Sequence, residues 1–203
     1  MDDKRLKRIF LVTIGALCLA ALIAFIQVRL ETANAVHTDF VAEDFGGPFT
    51  LTDHTGKTVT EKDYAGQWRL IYFGFTFCPA ICPTELAKMT KALNALGDKA
   101  NSITPLFVTV DPERDTIDTM KGYVASFHPR LIGLTGTAEQ IKKAAKEYKI
   151  YYAKVDDPAM TEYTMDHSSF IYFIDPDNNL RAIFRTNDDA DVMVAAIDKA
   201  MNP

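Results

Sequence analysis

Apolar and polar positions follow three rhythms along this chain, and each predicts a different element. Residues 9–28 carry no charge at any of twenty consecutive positions. A helix rising about 1.5 Å per residue covers roughly 30 Å over that stretch, the hydrocarbon thickness of a bilayer. Further on, Phe49-Thr50-Leu51-Thr52 and Lys57-Thr58-Val59 alternate around Asp53-His54-Thr55-Gly56, which predicts a β-hairpin. Residues 69–75 form an aromatic and apolar run suited to a central strand buried on both faces. Leu86, Met89, Leu93 and Leu96 then recur at helical spacing, and Gly97 closes that helix, expected over 83–96.

The same reading places strands at 103–110, 131–134, 150–155, 169–174 and 180–185. It places helices at 113–127, 138–148 and 188–201, a loop at 156–167 and a turn at 175–179. Strand–helix alternation followed by a hairpin and a last helix predicts an α/β sandwich with a mixed sheet. No internal repeat or low-complexity tract interrupts it. The expected organisation is a basic segment at 1–8, an anchor at 9–28, a polar tether at 29–44 and one globular domain at 45–203.

Charge sharpens this division. The 203 residues carry a net charge of −5. Lys4, Arg5, Lys7, Arg8 and Arg29 against Asp2 and Asp3 give the first thirty residues +3, which leaves −8 on the rest. An acidic domain without a basic patch argues against nucleic acid as a partner. The basic cluster ahead of the apolar run orients the N-terminus to the cytoplasm and the domain to the opposite side. The rival reading is a cleaved signal peptide ending at Ala33-Asn34-Ala35. The apolar run exceeds a usual signal core, and Arg29 and Glu31 intervene, which favours an uncleaved anchor. Cys18 lies within the span and reads as a small apolar residue. Leu17 stands before it where a lipidation signal would have Gly or Ala.

The chemistry sits in Cys78-Pro79-Ala80-Ile81-Cys82, directly after the central strand. Thioredoxin-like folds place a cysteine pair at this junction. Pro83 suits the first position of a helix, so Cys82 is expected at or near its N-cap and Cys78 in the loop before it. Free N–H groups there favour thiolates, so at least one thiol should titrate low. A purely structural disulfide over this spacing closes a tiny loop and would be a poor staple. Thiol–disulfide exchange and metal binding both remain open.

His167 is the candidate third donor. It precedes the strand at 169–174, which in a thioredoxin-like sheet begins beside the cysteine loop. Oxidoreductases of that type carry a cis-proline here; this chain has no proline between Pro158 and Pro176. An imidazole in that place tilts the site toward metal. Two thiolates and one imidazole suit Cu(I), or Cu(II) with an added oxygen ligand, whereas zinc would want a fourth donor. Asp111, in Asp111-Pro112-Glu113-Arg114-Asp115, either orients a ligand, adds an oxygen contact or attracts a cationic partner, or it caps a helix. Asp166 is an accessory candidate or a solvent-facing carboxylate. Met160 and Met165 offer thioethers or pack their loop. His37, His54 and His128 read as tether, turn and loop residues. Cys82-Pro83-Thr84-Glu85 is similar to a peroxiredoxin run, but that chemistry needs a threonine three residues before its cysteine, where this chain has Pro79.

Taken together, 73–83 (Phe-Gly-Phe-Thr-Phe-Cys-Pro-Ala-Ile-Cys-Pro), Val110-Asp111-Pro112-Glu113-Arg114-Asp115 and Tyr163-Thr164-Met165-Asp166-His167-Ser168 resemble the Sco/SenC family over roughly residues 41–201. The resemblance implies a thioredoxin-like fold on a single membrane anchor. It implies copper ligands at Cys78, Cys82 and His167, with Asp111 affecting metal or partner binding. It further implies a metallochaperone for the dinuclear copper centre of cytochrome c oxidase, with a copper donor protein and the oxidase copper-site subunit as partners. The alternative is a thiol–disulfide oxidoreductase that keeps the oxidase cysteines reduced. The expected location is an inner membrane, with the domain facing the periplasm or the mitochondrial intermembrane space.

Overall fold

The computed structural model describes residues 3–34, 45–156 and 162–202. Contacts divide the chain into two units, Met1–Val36 and His37–Pro203. The first is one helix, α1 (Asp3–Asn34). Within it, Phe10–Gln27 is long and apolar enough to cross a membrane, and none of that stretch is buried. The helix continues through 29–34, which the apolar pattern assigned to the tether; residues 35–44 lie outside the described residues.

The second unit opens with the expected hairpin, β1 (Thr50–Asp53) and β2 (Thr58–Thr60). Asp53 Oδ1 accepts from the Thr55 and Lys57 amides, and Gly56 takes the positive φ of +90° that the turn requires. Then follow β3 (Trp68–Gly74), α2 (Ile81–Leu96), β4 (Ile103–Thr109), α3 (Ile117–Val124), β5 (Ile132–Thr135) and α4 (Ala138–Glu147). The chain closes with β6 (Tyr152–Val155), β7 (Thr164–His167), β8 (Ile171–Ile174), β9 (Leu180–Phe184) and α5 (Ala190–Met201).

Among the described residues the main sheet runs β2-β1-β5-β4-β3-β8-β9. β3 and β4 pair in parallel at its centre, from Trp68 opposite Ile103 to Gly74 opposite Thr109. All seven β4 residues are buried, as are six of seven in β3, which is why both read as continuous apolar runs. β8 lies antiparallel on the other side of β3, with Ile171 opposite Tyr72. The β3-α2-β4 crossover with antiparallel β8 and β9 is the thioredoxin-like arrangement, and the β1–β2 hairpin extends its sheet beyond β5. The register brings the end of β3, the end of β4 and the start of β8 to one edge. Met120 and Val124 of α3 lie over Gly133 on one face, while Ala144 and Tyr148 lie with Ile71, Phe73 and Leu106 on the other.

Within the domain, two expected elements differ most. The helix expected from residue 113 begins at Ile117, because Thr116 caps it by accepting from the Thr119 amide at 3.2 Å. Residues 111–115 form a turn instead, closed by the Asp115 amide on the Asp111 carbonyl at 3.0 Å. The loop expected over 156–167 ends in a strand: β7 pairs with β6 from Thr164 opposite Val155 to His167 opposite Tyr152. This hairpin is a sheet of its own. Residues 157–161, with Met160, lie outside the described residues.

Candidate metal and thiol centre

The site begins where β3 ends. A Cβ at Gly74 would stand 2.9 Å from Cys82 Sγ and 2.9 Å from the Tyr72 ring. Only glycine lets the buried sulfur approach the strand so closely. The next residues turn away from the sheet and are held by Asp115, which is fully buried. Its carboxylate accepts from the Thr76 amide at 3.1 Å and from the Thr76 and Thr109 hydroxyls at 2.5 Å. Burial pushes this carboxyl up from its ordinary value, against those hydrogen bonds. Asp115 thereby ties the root of the cysteine turn to the end of β4. Sequence reasoning gave Asp115 no role of its own; its partners are 6 and 39 residues away.

α2 begins at Ile81, so Cys82 is its second residue rather than its cap, and Pro83 its third. Pro83 still loses nothing, because the first turn's N–H groups have no intrahelical acceptor. No side-chain oxygen caps this helix; the Cys82 amide donates instead to Cys78 Sγ at 3.3 Å. Cys78 is half-buried and Cys82 fully buried, and both are free thiols. Hydrogen bonding from the Cys82 side chain, then from the backbone amides of Cys82 and Ala80, holds the Cys78 thiol well below its usual range against its partial burial. The same partnership, with burial, pushes Cys82 up. The accessible sulfur is thus the more acidic of the pair and the inner one the less.

His167 arrives from the other side, at the end of β7. Its Nε2 lies 3.5 Å from Cys82 Sγ. Its Nδ1 lies 3.1 Å from the Ser168 carbonyl, which can only accept, so Nδ1 carries a proton. In the neutral ring the Nε2 lone pair then faces the sulfurs, the orientation a metal-binding imidazole needs. The rings of Phe75 and Tyr72 meet His167 edge-on at 5.7 and 6.1 Å and fix its plane. The site opens between Phe77 and Ile81, which are 49% and 46% exposed.

Among the described residues, no group of three or more His, Cys, Asp and Glu side chains already stands as a metal would need it. Cys78 Sγ accepts the Cys82 amide, and a thiolate can keep such a bond while its other lone pairs face an ion. The donor types nevertheless fit a soft ion.

The accessory candidates lie elsewhere. Asp111 is 3% exposed, but its carboxylate accepts from Arg114 Nε and from the Tyr163 hydroxyl at 2.8 Å, not from the cysteines. It is not the cap of α3 either. Asp166 is exposed and, next to His167 on a strand, faces the opposite side. Met165 is buried. His54 Nδ1 accepts from the Gly133 amide and His128 Nδ1 from the Arg130 amide, both turn-stabilising roles. His37 lies outside the described residues.

The SCO1/SenC family model matches residues 38–202. The chain belongs to the SCO1/SenC family. The human protein named "Protein SCO1 homolog, mitochondrial" is 43% identical over 160 residues, 78% of this chain and 53% of that protein. This Sco chain spans about half the length of the curated relatives it matches, the Arabidopsis thaliana SCO1 homolog 1 being covered over 46%. The crystal structure of Arabidopsis thaliana ScoI with copper bound matches with a TM-score of 0.73 and 42% identity, over 77% of this chain and 98% of that one. BsSco, described as a member of the Sco family of cytochrome c oxidase assembly proteins with a disulfide switch, matches with a TM-score of 0.62 and 25% identity, over 79% of this chain and 95% of that one. The fold is the thioredoxin-like fold of Sco proteins.

Proposed function

We propose that this Sco chain is a membrane-anchored copper-binding protein that delivers copper to the dinuclear copper centre of cytochrome c oxidase during assembly. Cys78, Cys82 and His167 hold the ion. The observation that carries this reading is the 3.5 Å approach of His167 Nε2 to Cys82 Sγ, with Cys78 in the same turn. The copper-bound Arabidopsis relative and the assembly role printed for BsSco support it. Residues 1–8 lie in the cytoplasm, 9–28 span the membrane and 29–44 link to the domain at 45–203. That domain faces the periplasm or the mitochondrial intermembrane space. A copper donor protein loads it, and the oxidase copper-site subunit receives the ion. The test is copper stoichiometry of the reduced full chain in detergent micelles, beside His167→Ala. One copper per chain, with affinity lowered by at least about tenfold in the variant, is expected; binding indifferent to His167 overturns the site.

The asymmetry of the two thiols favours a second activity of the same pair. The Cys78 thiolate attacks a target disulfide and releases one target thiolate. Cys82, giving up its proton, then attacks Cys78 Sγ and releases the second. Two electrons pass to the target, and the chain is left with a Cys78–Cys82 disulfide. This exchange needs no imidazole, so it survives His167→Ala while three-donor copper binding does not.

A further inference from the structure

The cysteine turn and the β6–β7 hairpin belong to different sheets, and something must keep them in register. At the base of the hairpin, beside His167, the Ser168 amide donates to the Tyr151 carbonyl at 2.9 Å and the Tyr151 amide to Ser168 Oγ at 3.2 Å. At the opposite end, the 111–115 turn sends one side chain across the gap. Arg114 Nε donates to Asp111, and Nη1 donates to the Tyr163 carbonyl at 2.8 Å, just ahead of β7. Its guanidinium carbon stands 3.7 Å from the Tyr163 ring centre and 4.5 Å from that of Phe77, the neighbour of Cys78. Phe75, whose ring also meets His167, lies 5.8 Å away. The remaining nitrogen, Nη2, is buried without an acceptor. Aromatic faces stabilise a cation in such a position.

We propose that Arg114 is the positioning residue that clasps the histidine hairpin to the cysteine turn, its guanidinium held between Tyr163 of the one and Phe77 of the other. Asp111 aims the guanidinium from the sheet edge, and the Tyr163 hydroxyl donating to Asp111 closes the cluster. The base bonds alone leave the hairpin free to tilt about 150–151 and 168–170. With the clasp engaged it has two fixed ends, and β7 delivers His167 Nε2 toward the sulfurs. Among the described residues, other ties at that end include the exposed pair of Lys154 and Glu113, 3.2 Å apart, the Tyr163 hydroxyl donating to Glu113 at 3.5 Å, and the burial of Met165; an exposed ion pair contributes little. Lysine cannot replace arginine here, since one ammonium cannot serve Asp111 and the Tyr163 carbonyl while lying flat between two rings.

The inference rests on reading His167 as a copper donor, and the test separates the two. In the reduced, metal-free full chain in detergent micelles, Arg114→Met should speed amide exchange of Thr164–His167 about tenfold or more, with β3 and β4 amides unchanged. Loaded with Cu(II), the variant should keep its thiolate charge-transfer band, lose imidazole nitrogen coupling in electron paramagnetic resonance, and bind copper about 10- to 100-fold more weakly. Arg114→Lys should not restore the nitrogen signal. Tyr163→Leu removes the outer face of the clasp but spares the Arg114–Asp111 pair, so it serves if Arg114→Met fails to fold. Unchanged hairpin exchange with a wild-type nitrogen signal overturns the clasp. If His167→Ala leaves the copper spectrum unaltered, the donor reading falls, and hairpin exchange alone decides the clasp.

Discussion

The two halves of the site are built differently. The cysteine turn grows out of the most buried strand pair of the molecule: Gly74 admits the Cys82 sulfur, Asp115 pins Thr76, and Cys82 is wholly enclosed. The histidine half hangs on a two-stranded sheet with four-residue strands, and a two-stranded hairpin is marginal without other support. The difference separates the chemistries. The proposed thiol exchange would draw on the rooted half alone, whereas the proposed three-donor copper site would need both halves at once.

The sharpest way to break the comparison is Cys82→Ser, which removes a residue common to both. Reduction of a target disulfide should stop at the Cys78 mixed disulfide and copper affinity should fall at least about tenfold; complete two-electron reduction or wild-type copper binding would place that activity elsewhere. Alkylation of the reduced chain by iodoacetamide should then divide the rooted half itself. Cys78, half-buried and held low, should react about 100-fold faster than the enclosed Cys82 and keep its rate as pH falls below the usual thiol range near 8.5. Peptide mapping of the label reads this directly, and equal labelling would refute the assigned asymmetry. Gly74→Ala should cost about 1–3 kcal/mol in denaturant unfolding, because its methyl meets sulfur and ring at 2.9 Å. It should weaken both chemistries together, unlike His167→Ala.

Asp115→Asn should cost about 1–3 kcal/mol, since asparagine keeps one acceptor oxygen but sets an NH2 donor against a group that donated to the other. Its pH dependence has a definite sign. A carboxyl raised in the folded state contributes stability that is present below the ordinary value of 3.8 and lost as pH rises through the raised value. The wild-type advantage over Asp115→Asn should therefore shrink as pH rises from about 4. A growing advantage would mean that the folded protein holds this carboxyl low. The smallest effect belongs to Asp166→Asn. The side chain is exposed and faces away from His167, so stability should move by less than about 0.5 kcal/mol and copper affinity should hold.

The rooted half was also the more legible in sequence. A continuous apolar run announced β3, and the cysteine motif followed it without a gap, so the fold class and the junction could be read from local pattern. The hung half was not. Thr164-Met165-Asp166-His167 has no apolar alternation to mark it as a strand, and its pairing with β6 crosses a segment that includes Pro158. The start of α2 was misplaced because Pro83 is acceptable at the first position and at the third alike. Asp111, Arg114 and Asp115 stood in one visible motif. Their separate duties depend on Tyr163 and Thr76, 52 residues from Asp111 and 39 from Asp115, which no local rhythm encodes.

The enclosure of Cys82 also imposes an order in time. A partner arriving from solvent meets Cys78 between Phe77 and Ile81, while Cys82 Sγ lies against Gly74 with no exposed surface. If the pair carries copper as proposed, an incoming thiolate would take the place of Cys78 while the ion is still tethered from within. The inner sulfur would then be the last to release its cargo, and the ion would pass from hand to hand without ever being loose in water.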